Sequence, residues 1–369
     1  MIMNGAPLSR PVDCEGQLSV WGTINSTDSV NAQVAGRYIP GISLNQKLGP
    51  GSSADFYLSL NAFADSRFNY NNGSREATET TDLTLHRIYA RLAWPRIELR
   101  IGLQRINFGS AILMRPLMWF DVLDPRDPQQ YSRGVYAALG RWYFYNNANL
   151  WLWGLYGNDE TKGWEIFPSI KEKAEFGGRV QYPFYPGEIA FSYHYREMNL
   201  SRSPLPGVPM STGKGRERKY AFDMRWDIEI GLWTEIVIAE QDSDRFSFRW
   251  QRFINLGADY TLAIGNGLGL IGEYLEIGEP ETPLGSTHPQ QFYALSISYS
   301  LGIADEIKGI FYHDVSRGDF YRYISLSHTL DNWRFILNGF WNPAENALIY
   351  NSEGMLVGRG LQLTLTFNH

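Results

Sequence analysis

The chain has 369 residues, a formal net charge of -6 and a single cysteine, Cys14. The acidic balance argues against nucleic-acid binding, which normally requires a basic surface, and one cysteine excludes an internal disulfide framework and a cysteine-based metal cluster. No run of about 18 apolar residues occurs, so the sequence predicts no membrane-spanning helix. Aromatic residues form 15% of the chain, which favours a protein with many strands and with aromatic girdles at two membrane interfaces.

Polar and apolar residues alternate along most of the chain. The clearest stretch is 219–230, where all even positions are apolar and the odd positions are polar apart from Ala221. Side chains on a strand point alternately to opposite faces, so such a strand has one apolar and one charged face. Strands of about 9–11 residues with this pattern can cross a bilayer at a tilt. In chain order, the alternating stretches are 17–25, 30–38, 55–65, 83–94, 97–104, 135–145, 149–156, 175–182, 188–196, 219–230, 232–240, 249–264, 268–277, 291–301, 306–314, 320–329, 333–341 and 360–367.

Short turns, such as 264–267, alternate with longer polar stretches. Short turns on one rim and long loops on the other are typical of a barrel that spans an outer membrane. The predicted fold is therefore all-β: a single transmembrane antiparallel β-barrel of about 16–18 strands, covering 15–369. The N-terminal segment, 1–14, has no charged region followed by an apolar core, so we expect that an export leader was removed or that the recorded start lies within it. The longer stretches predicted to be loops are 45–53, 69–81, 107–133, 157–173 and 199–218.

Two stretches resemble known barrels. Residues 361–369 read Leu-Gln-Leu-Thr-Leu-Thr-Phe-Asn-His and resemble the C-terminal strand of bacterial outer-membrane barrels, which usually ends on an aromatic residue. Residues 100–109, followed by the Asp-Pro-rich 121–128, resemble porin-type and alginate-export-like barrels. The resemblance implies location in the bacterial outer membrane, contact with the lipid bilayer and lipopolysaccharide, and passage of small solutes through the lumen. By analogy with porins it suggests a homotrimer, with a partner complex as the alternative.

Segment 107–133 is too long for a turn, and Leu117, Trp119 and Phe120 within it need shelter from water. We therefore predict that it folds into the lumen and narrows it, and that its charges set the selectivity. An external loop in which Asp-Pro pairs make turns is the alternative. The predicted constriction residues are Arg115, Asp121, Asp124, Arg126, Asp127 and Arg133.

The polar faces of the predicted strands carry charges of both signs. Rings of one sign select ions of the other sign, but this mixture has no dominant sign. Mutual pairing inside a wet barrel is therefore the alternative to a selective role, and Arg87, Arg91 and Arg100 come nearest to a basic ladder. The predicted pore-lining residues are Arg87, Arg91, Glu98, Arg100, Asp223, Arg225 and Asp227.

The sequence predicts a passive channel for small polar or charged solutes, with no enzyme activity, no cofactor and no metal. It contains no phosphate-binding glycine loop, no His-Glu-x-x-His and no nucleophile elbow, and its six histidines are scattered. A barrel that serves as a scaffold or sleeve for a partner complex, in electron transfer or secretion, is the alternative. An outer-membrane enzyme and a soluble β protein are two further alternatives.

Overall fold

The computed structural model describes residues 12–27, 29–71, 74–129, 131–202, 213–242, 249–344 and 356–369. These residues form one closed sheet of 18 strands, in which each strand pairs antiparallel with its neighbours in the chain and the last strand pairs with the first. The predicted antiparallel β-barrel is confirmed, with a strand number at the upper end of the predicted range. No helix in the described part of the chain is both long and apolar enough to cross a membrane.

The strands are β1 (Val12–Ser26), β2 (Val30–Gly49), β3 (Ser52–Asn71), β4 (Ser74–Ala93), β5 (Ile97–Gln104), β6 (Val135–Tyr143), β7 (Asn149–Leu155), β8 (Glu175–Phe184), β9 (Gly187–Asn199), β10 (Lys214–Asp227), β11 (Gly231–Asp242), β12 (Trp250–Leu262), β13 (Leu268–Gly278), β14 (Gln290–Ser300), β15 (Asp305–Asp314), β16 (Asp319–Leu330), β17 (Trp333–Trp341) and β18 (Arg359–Asn368).

The barrel buries the polar faces of its strands and exposes their apolar faces, the reverse of a soluble protein. On β10 the inward-facing Asp223 is 2% exposed, whereas Tyr220 on the outer face is 44% exposed. The outward-facing Ile101 of β5 and Leu152 of β7 are 64% and 57% exposed. Hydrocarbon chains can cover such a surface at no cost, whereas contact with water is unfavourable. This arrangement is typical of a barrel wall that faces lipid.

The connections at the two ends of the barrel differ in length. At one end, residues 94–96 join β4 to β5 and residues 185–186 join β8 to β9. We call this end the short-turn rim. At the other end, which we call the long-connection rim, residues 105–134 lie between β5 and β6 and residues 156–174 lie between β7 and β8. The long connections supply enough chain to enter the lumen.

Two stretches predicted to be loops are strands in the structure. Within 45–53, β2 runs to Gly49 and β3 begins at Ser52; within 69–81, β3 runs to Asn71 and β4 begins at Ser74. Both loop predictions were wrong, because these stretches have polar residues on both faces while backbone hydrogen bonds to a neighbouring strand keep them extended. The first strand also begins at Val12, three residues before the predicted start of the barrel.

Candidate functional site

The connection between β5 and β6 folds into the lumen. We call residues 105–129 and 131–134 the first inward segment. Its Phe108 stacks on Trp153 of β7, with ring centroids 5.6 Å apart, and its Phe120 meets the same ring edge-on at 5.4 Å. Its other apolar side chains join a buried cluster with inward-facing residues of the wall. The structure therefore places this segment inside the barrel, where it fills part of the lumen.

Two glutamates on the far wall hold the tip of the first inward segment. The carboxylate of Glu273, on β13, accepts hydrogen bonds from the N–H groups of residues 112–114 at 2.6–3.0 Å. The carboxylate of Glu235, on β11, accepts hydrogen bonds from the N–H groups of Ser110 and Ala111 at 2.5 and 2.8 Å. The two side chains thus supply acceptors for five consecutive backbone N–H groups of the tip. These two buried side chains, which are not among the predicted pore-lining or constriction residues, fix the position of the tip.

Most of the predicted constriction charges pair with one another. Arg115 donates to Asp121 at 3.3 Å, and both side chains are buried. Arg126 donates to both oxygens of Asp124 at 2.7–3.0 Å and also to a tyrosine hydroxyl on β16. Arg133 differs, because it is largely exposed and pairs with a glutamate of the β7–β8 connection. The two buried pairs therefore stabilise the folded segment, and the structure does not join all six residues into one ring.

The first inward segment returns to the wall along β2 and β4. Arg37 lies over the ring of Tyr131 at 3.9 Å, and the ring of His86 stacks on Tyr131 at 5.5 Å. Arg87 donates to the carbonyl of Ser132 at 2.6 Å and is 8% exposed. Arg87, a predicted pore-lining residue, is thus covered by residues 131–134 of the first inward segment.

Asp127 is half-buried at the start of this return path. Its carboxylate accepts hydrogen bonds from the N–H groups of Gln129 at 2.9 Å and Tyr131 at 3.2 Å. Burial raises the pKa of Asp127 to about 6; the two N–H groups and Arg37 oppose the rise, and Asp124 adds to it. Because the folded chain binds this proton more tightly than the unfolded chain, its contribution to stability falls as the pH rises toward about 6.

We expect a pH step in ion selectivity that depends on Asp127. Between about pH 5 and about pH 7 this side chain ionises and adds a negative charge to the lumen, so the permeability to cations relative to anions rises. Asp127→Asn stays neutral at this position, and its change in permeability ratio over the same interval is expected to be smaller than that of the wild type. Reversal potentials in a salt gradient, recorded at both pH values, measure the step. An equal step in the wild type and in Asp127→Asn would assign it to another group.

Three arginines share two carboxylates on the wall formed by β3 to β6. Glu98 pairs with Arg91 and Arg100 at 3.0 Å each. Arg141 lies 3.5 Å from the same carboxylate, and Arg91 also pairs with Asp55 at 3.0 Å. We call these five residues the arginine cluster. The side chain of Arg91 is 36% exposed, so solvent reaches this part of the wall near the short-turn rim, where positive charge exceeds negative charge.

The predicted pore-lining residues of β10 belong to two other sites. Asp223 is buried and accepts two hydrogen bonds from Arg179 at 2.6 and 2.7 Å. Arg225 lies closer to the short-turn rim and pairs with Asp227 at 2.8 Å and with Asp259 at 3.0 Å. The structure therefore does not bring these residues together with the arginine cluster. The predicted charges of β10 are therefore all in ion pairs, the arrangement expected if they pair with one another rather than select ions.

The connection between β7 and β8, residues 156–174, also folds into the barrel. We call it the second inward segment. Trp164 donates from its indole N–H to the carbonyl of Arg115 at 2.7 Å, which joins the two inward segments. The sequence pattern predicts only a loop here. The signal for an inward fold is the group Trp164, Ile166 and Phe167, which needs shelter from water as much as Trp119 does.

A buried group of ion pairs holds the second inward segment against β8, β9 and β10. The Nζ of Lys162 lies 3.0 Å from Glu175 and 3.4 Å from Glu165. Arg196 lies 3.2 Å from Glu165 and 2.5 Å from Glu217. With Lys219 and Glu217 included, the group contains three cationic side chains and three carboxylates, so their charges cancel. Removal of one partner from such a buried group is strongly destabilising. We call the group the ionic cluster; its members are Lys162, Glu165, Glu175, His194, Arg196, Glu217 and Lys219, and none is more than 8% exposed.

The described residues include no group of three or more His, Cys, Asp or Glu side chains that could hold a metal ion. His194, the histidine of the ionic cluster, is completely buried. Its Nδ1 accepts a hydrogen bond from the indole N–H of Trp153 at 3.2 Å, so its Nε2 carries the ring proton and donates to Glu175 at 3.1 Å. These two hydrogen bonds fix the ring of His194 among the side chains that fill the lumen.

A closed antiparallel barrel of 18 strands, with long connections folded inward, is the porin-type architecture of outer-membrane proteins. The chain is similar to OccK7 (OpdD) of Pseudomonas aeruginosa, with 13% identity, a TM-score of 0.57, and coverage of 97% of this chain and 99% of that one. It is similar to the anion-selective porin of Comamonas acidovorans (12% identity, TM-score 0.51, coverage 97% and 99%). It is also similar to OmpT of Vibrio cholerae in its trimer form (10% identity, TM-score 0.53, coverage 97% and 99%).

No protein-family profile and no curated protein matches the chain. At identities this low, the likeness to solved structures shows the fold alone. The porin-type part of the resemblance seen in the sequence is therefore confirmed for the fold, and the alginate-export-like part stays a prediction.

Proposed function

We propose that the protein is a passive channel of the bacterial outer membrane for small polar or charged solutes. The observation that carries this proposal is the distribution of side chains in the wall. The closed barrel places polar and charged side chains around its lumen and apolar side chains on its outer face, the reverse of a soluble protein. The likeness to outer-membrane porins supports the same function and location. No enzyme activity is needed to account for any of the buried groups described above.

Within this channel, the first inward segment forms the constriction. The arginine cluster lies where solvent reaches the wall, and its excess of positive charge favours anions. The similarity to an anion-selective porin supports that preference, and the similarity to a trimeric protein supports a homotrimer. Lipid and lipopolysaccharide would contact the apolar outer face.

Single-channel recording from the detergent-purified protein in a planar bilayer tests the proposal. We expect discrete conductance steps and, in a salt gradient, a reversal potential that shows a preference for anions. Silence from protein that is folded and inserted would reject the channel.

A scaffold or sleeve for a partner complex is the second candidate function. It is favoured by the apolar cluster that the first inward segment forms inside the barrel, because a lumen filled in this way conducts less than an open one. Absence of conductance, together with co-purification of a defined partner, would support this function.

A further inference from the structure

At the long-connection rim, strand β4 extends beyond the end of its neighbour β5. β4 has 20 residues and pairs with β3 along its length, whereas β5 has 8 residues and pairs only with the part of β4 from Ile88 to Ala93. In the part of the chain that the structure describes, residues 74–87 therefore have a strand neighbour on one side only. Residues 76–85, which we call the free edge, are exposed on both faces. Closing a sheet into a barrel normally removes such edges.

Strand β9, which likewise extends beyond its neighbour β8 at the long-connection rim, has its edge paired. β9 extends past the end of its partner β8, and its upper part pairs with the second inward segment through a bridge between Ser169 and Met198. Ile170 donates to the carbonyl of Glu197 at 2.9 Å in the same contact. The chain thus caps the edge of β9 with its own backbone, whereas the described residues provide no such cap for β4.

The register shows which backbone groups the free edge presents. Trp94 donates its N–H to the carbonyl of Ile97 at 2.8 Å, so the even-numbered residues at that end of β4 bond to β5 and the odd-numbered ones to β3. A β-bulge at His86 reverses this assignment. Beyond the bulge, the odd-numbered residues within 77–83 direct their N–H and C=O groups away from β3. They form a template for one more strand.

The side chains of the free edge indicate what it would bind. Glu76, Glu79 and Asp82 are acidic, and residues 76–85 contain no lysine or arginine. A second copy of the chain in the same membrane would place the same acids beside one another, and like charges across a strand pair are destabilising. A strand with basic side chains would instead gain both the backbone hydrogen bonds and charge complementarity.

We propose that the free edge of β4 is a strand-addition site for a partner protein, which it binds through an extended segment that carries lysine or arginine residues. In this mode of recognition the backbone hydrogen bonds supply affinity and the side chains supply specificity. The proposal goes beyond the channel and does not depend on conductance, because the edge lies at the long-connection rim and outside the lumen constriction.

Binding of a model strand to the folded barrel tests the proposal. The probe is a fluorescein-labelled decapeptide of alternating threonine and lysine, titrated with detergent-purified protein and followed by fluorescence anisotropy. We expect saturable binding to the wild type. Thr81→Pro removes an N–H from the free side and leaves the bonds to β3 intact, so it is expected to weaken binding about tenfold. Thr81→Ala keeps the N–H and is expected to bind like the wild type.

Two further probes leave the protein unchanged. A decapeptide of the same sequence that is N-methylated at every residue lacks backbone donors, and we expect it to bind about tenfold more weakly. A decapeptide of alternating threonine and glutamate is expected not to bind. Equal binding of the lysine peptide to the wild type and Thr81→Pro, or equal binding of the methylated peptide, would overturn the proposal. Disulfide-linked dimers of Thr81→Cys in a Cys14→Ser background would also overturn it, because they would assign the edge to a second copy.

Discussion

Lys162→Met is expected to release the second inward segment from the lumen while the barrel stays folded. The substitution keeps the apolar stem of the side chain but leaves Glu165 and Glu175 buried with one cation fewer. Breaking a buried ion pair in this way costs about 3–5 kcal/mol. Hydrogen–deuterium exchange of the amides in 161–170 is expected to accelerate by about two orders of magnitude or more.

The chain offers a matched control on the same segment. Lys171 is also a lysine in an ion pair, 3.4 Å from Asp159, but its side chain is 57% exposed. Exposed pairs contribute little to stability, so Lys171→Met is expected to leave exchange in 161–170 unchanged. Heat-modifiable migration in detergent gels shows in both variants that the barrel is intact. Similar exchange in the two variants would mean that the ionic cluster does not hold the segment.

Glu273→Gln is expected to detach the tip of the first inward segment and to raise single-channel conductance. The carboxylate accepts three backbone N–H groups from residues 112–114, whereas an amide presents one oxygen and an NH2 group that repels donors. If the amide oxygen keeps the bonds from Ile112 and Leu113, the N–H of Met114 and the side-chain amide of Asn255 lose their acceptor. Each buried donor without a partner costs about 1–3 kcal/mol. The tip then moves from the wall, and the lumen becomes wider and less uniform.

The same strand supplies the comparison for this variant. Glu276 lies on the opposite face of β13 and pairs with Arg252 at 3.3 Å. Glu276→Gln is therefore expected to leave conductance unchanged. If both variants conduct like the wild type, the carboxylate of Glu273 does not set the pore. Faster hydrogen exchange in 110–117 for Glu273→Gln alone would still show detachment of the tip in a protein that does not conduct.

Alternation in the sequence was enough to predict the barrel wall. In 219–227, the part of this stretch that lies on β10, the even positions face outward and the odd positions face inward, as the exposure of Tyr220 and the burial of Asp223 show. The same pattern failed at the start of β4, where residues 76–81 extend beyond β5 and are exposed on both faces. A strand held only by backbone hydrogen bonds has no apolar face, so its sequence resembles that of a loop.

The inward fold of 107–133 was inferred from apolar residues that need shelter, and the structure places them in the lumen. The glutamates that hold the segment could not be inferred in this way. Glu235 and Glu273 follow the same alternation as every other polar residue on their strands, and their partners are backbone N–H groups more than 100 residues away in the chain. Backbone N–H groups are chemically alike along the chain, so the sequence does not indicate which of them will donate to a given carboxylate.

The sequence by itself determined the class of fold, the direction in which each wall side chain points, and the presence of charges of both signs in the lumen, because these follow from a period of two residues. The tertiary structure decided which charges meet. It pairs Asp223 with Arg179, gathers Arg91 and Arg100 around one glutamate, and closes the ionic cluster around the second inward segment. Ion pairing inside a barrel depends on strand register and on the path of the long connections, and both are set by contacts between residues that are far apart in the chain.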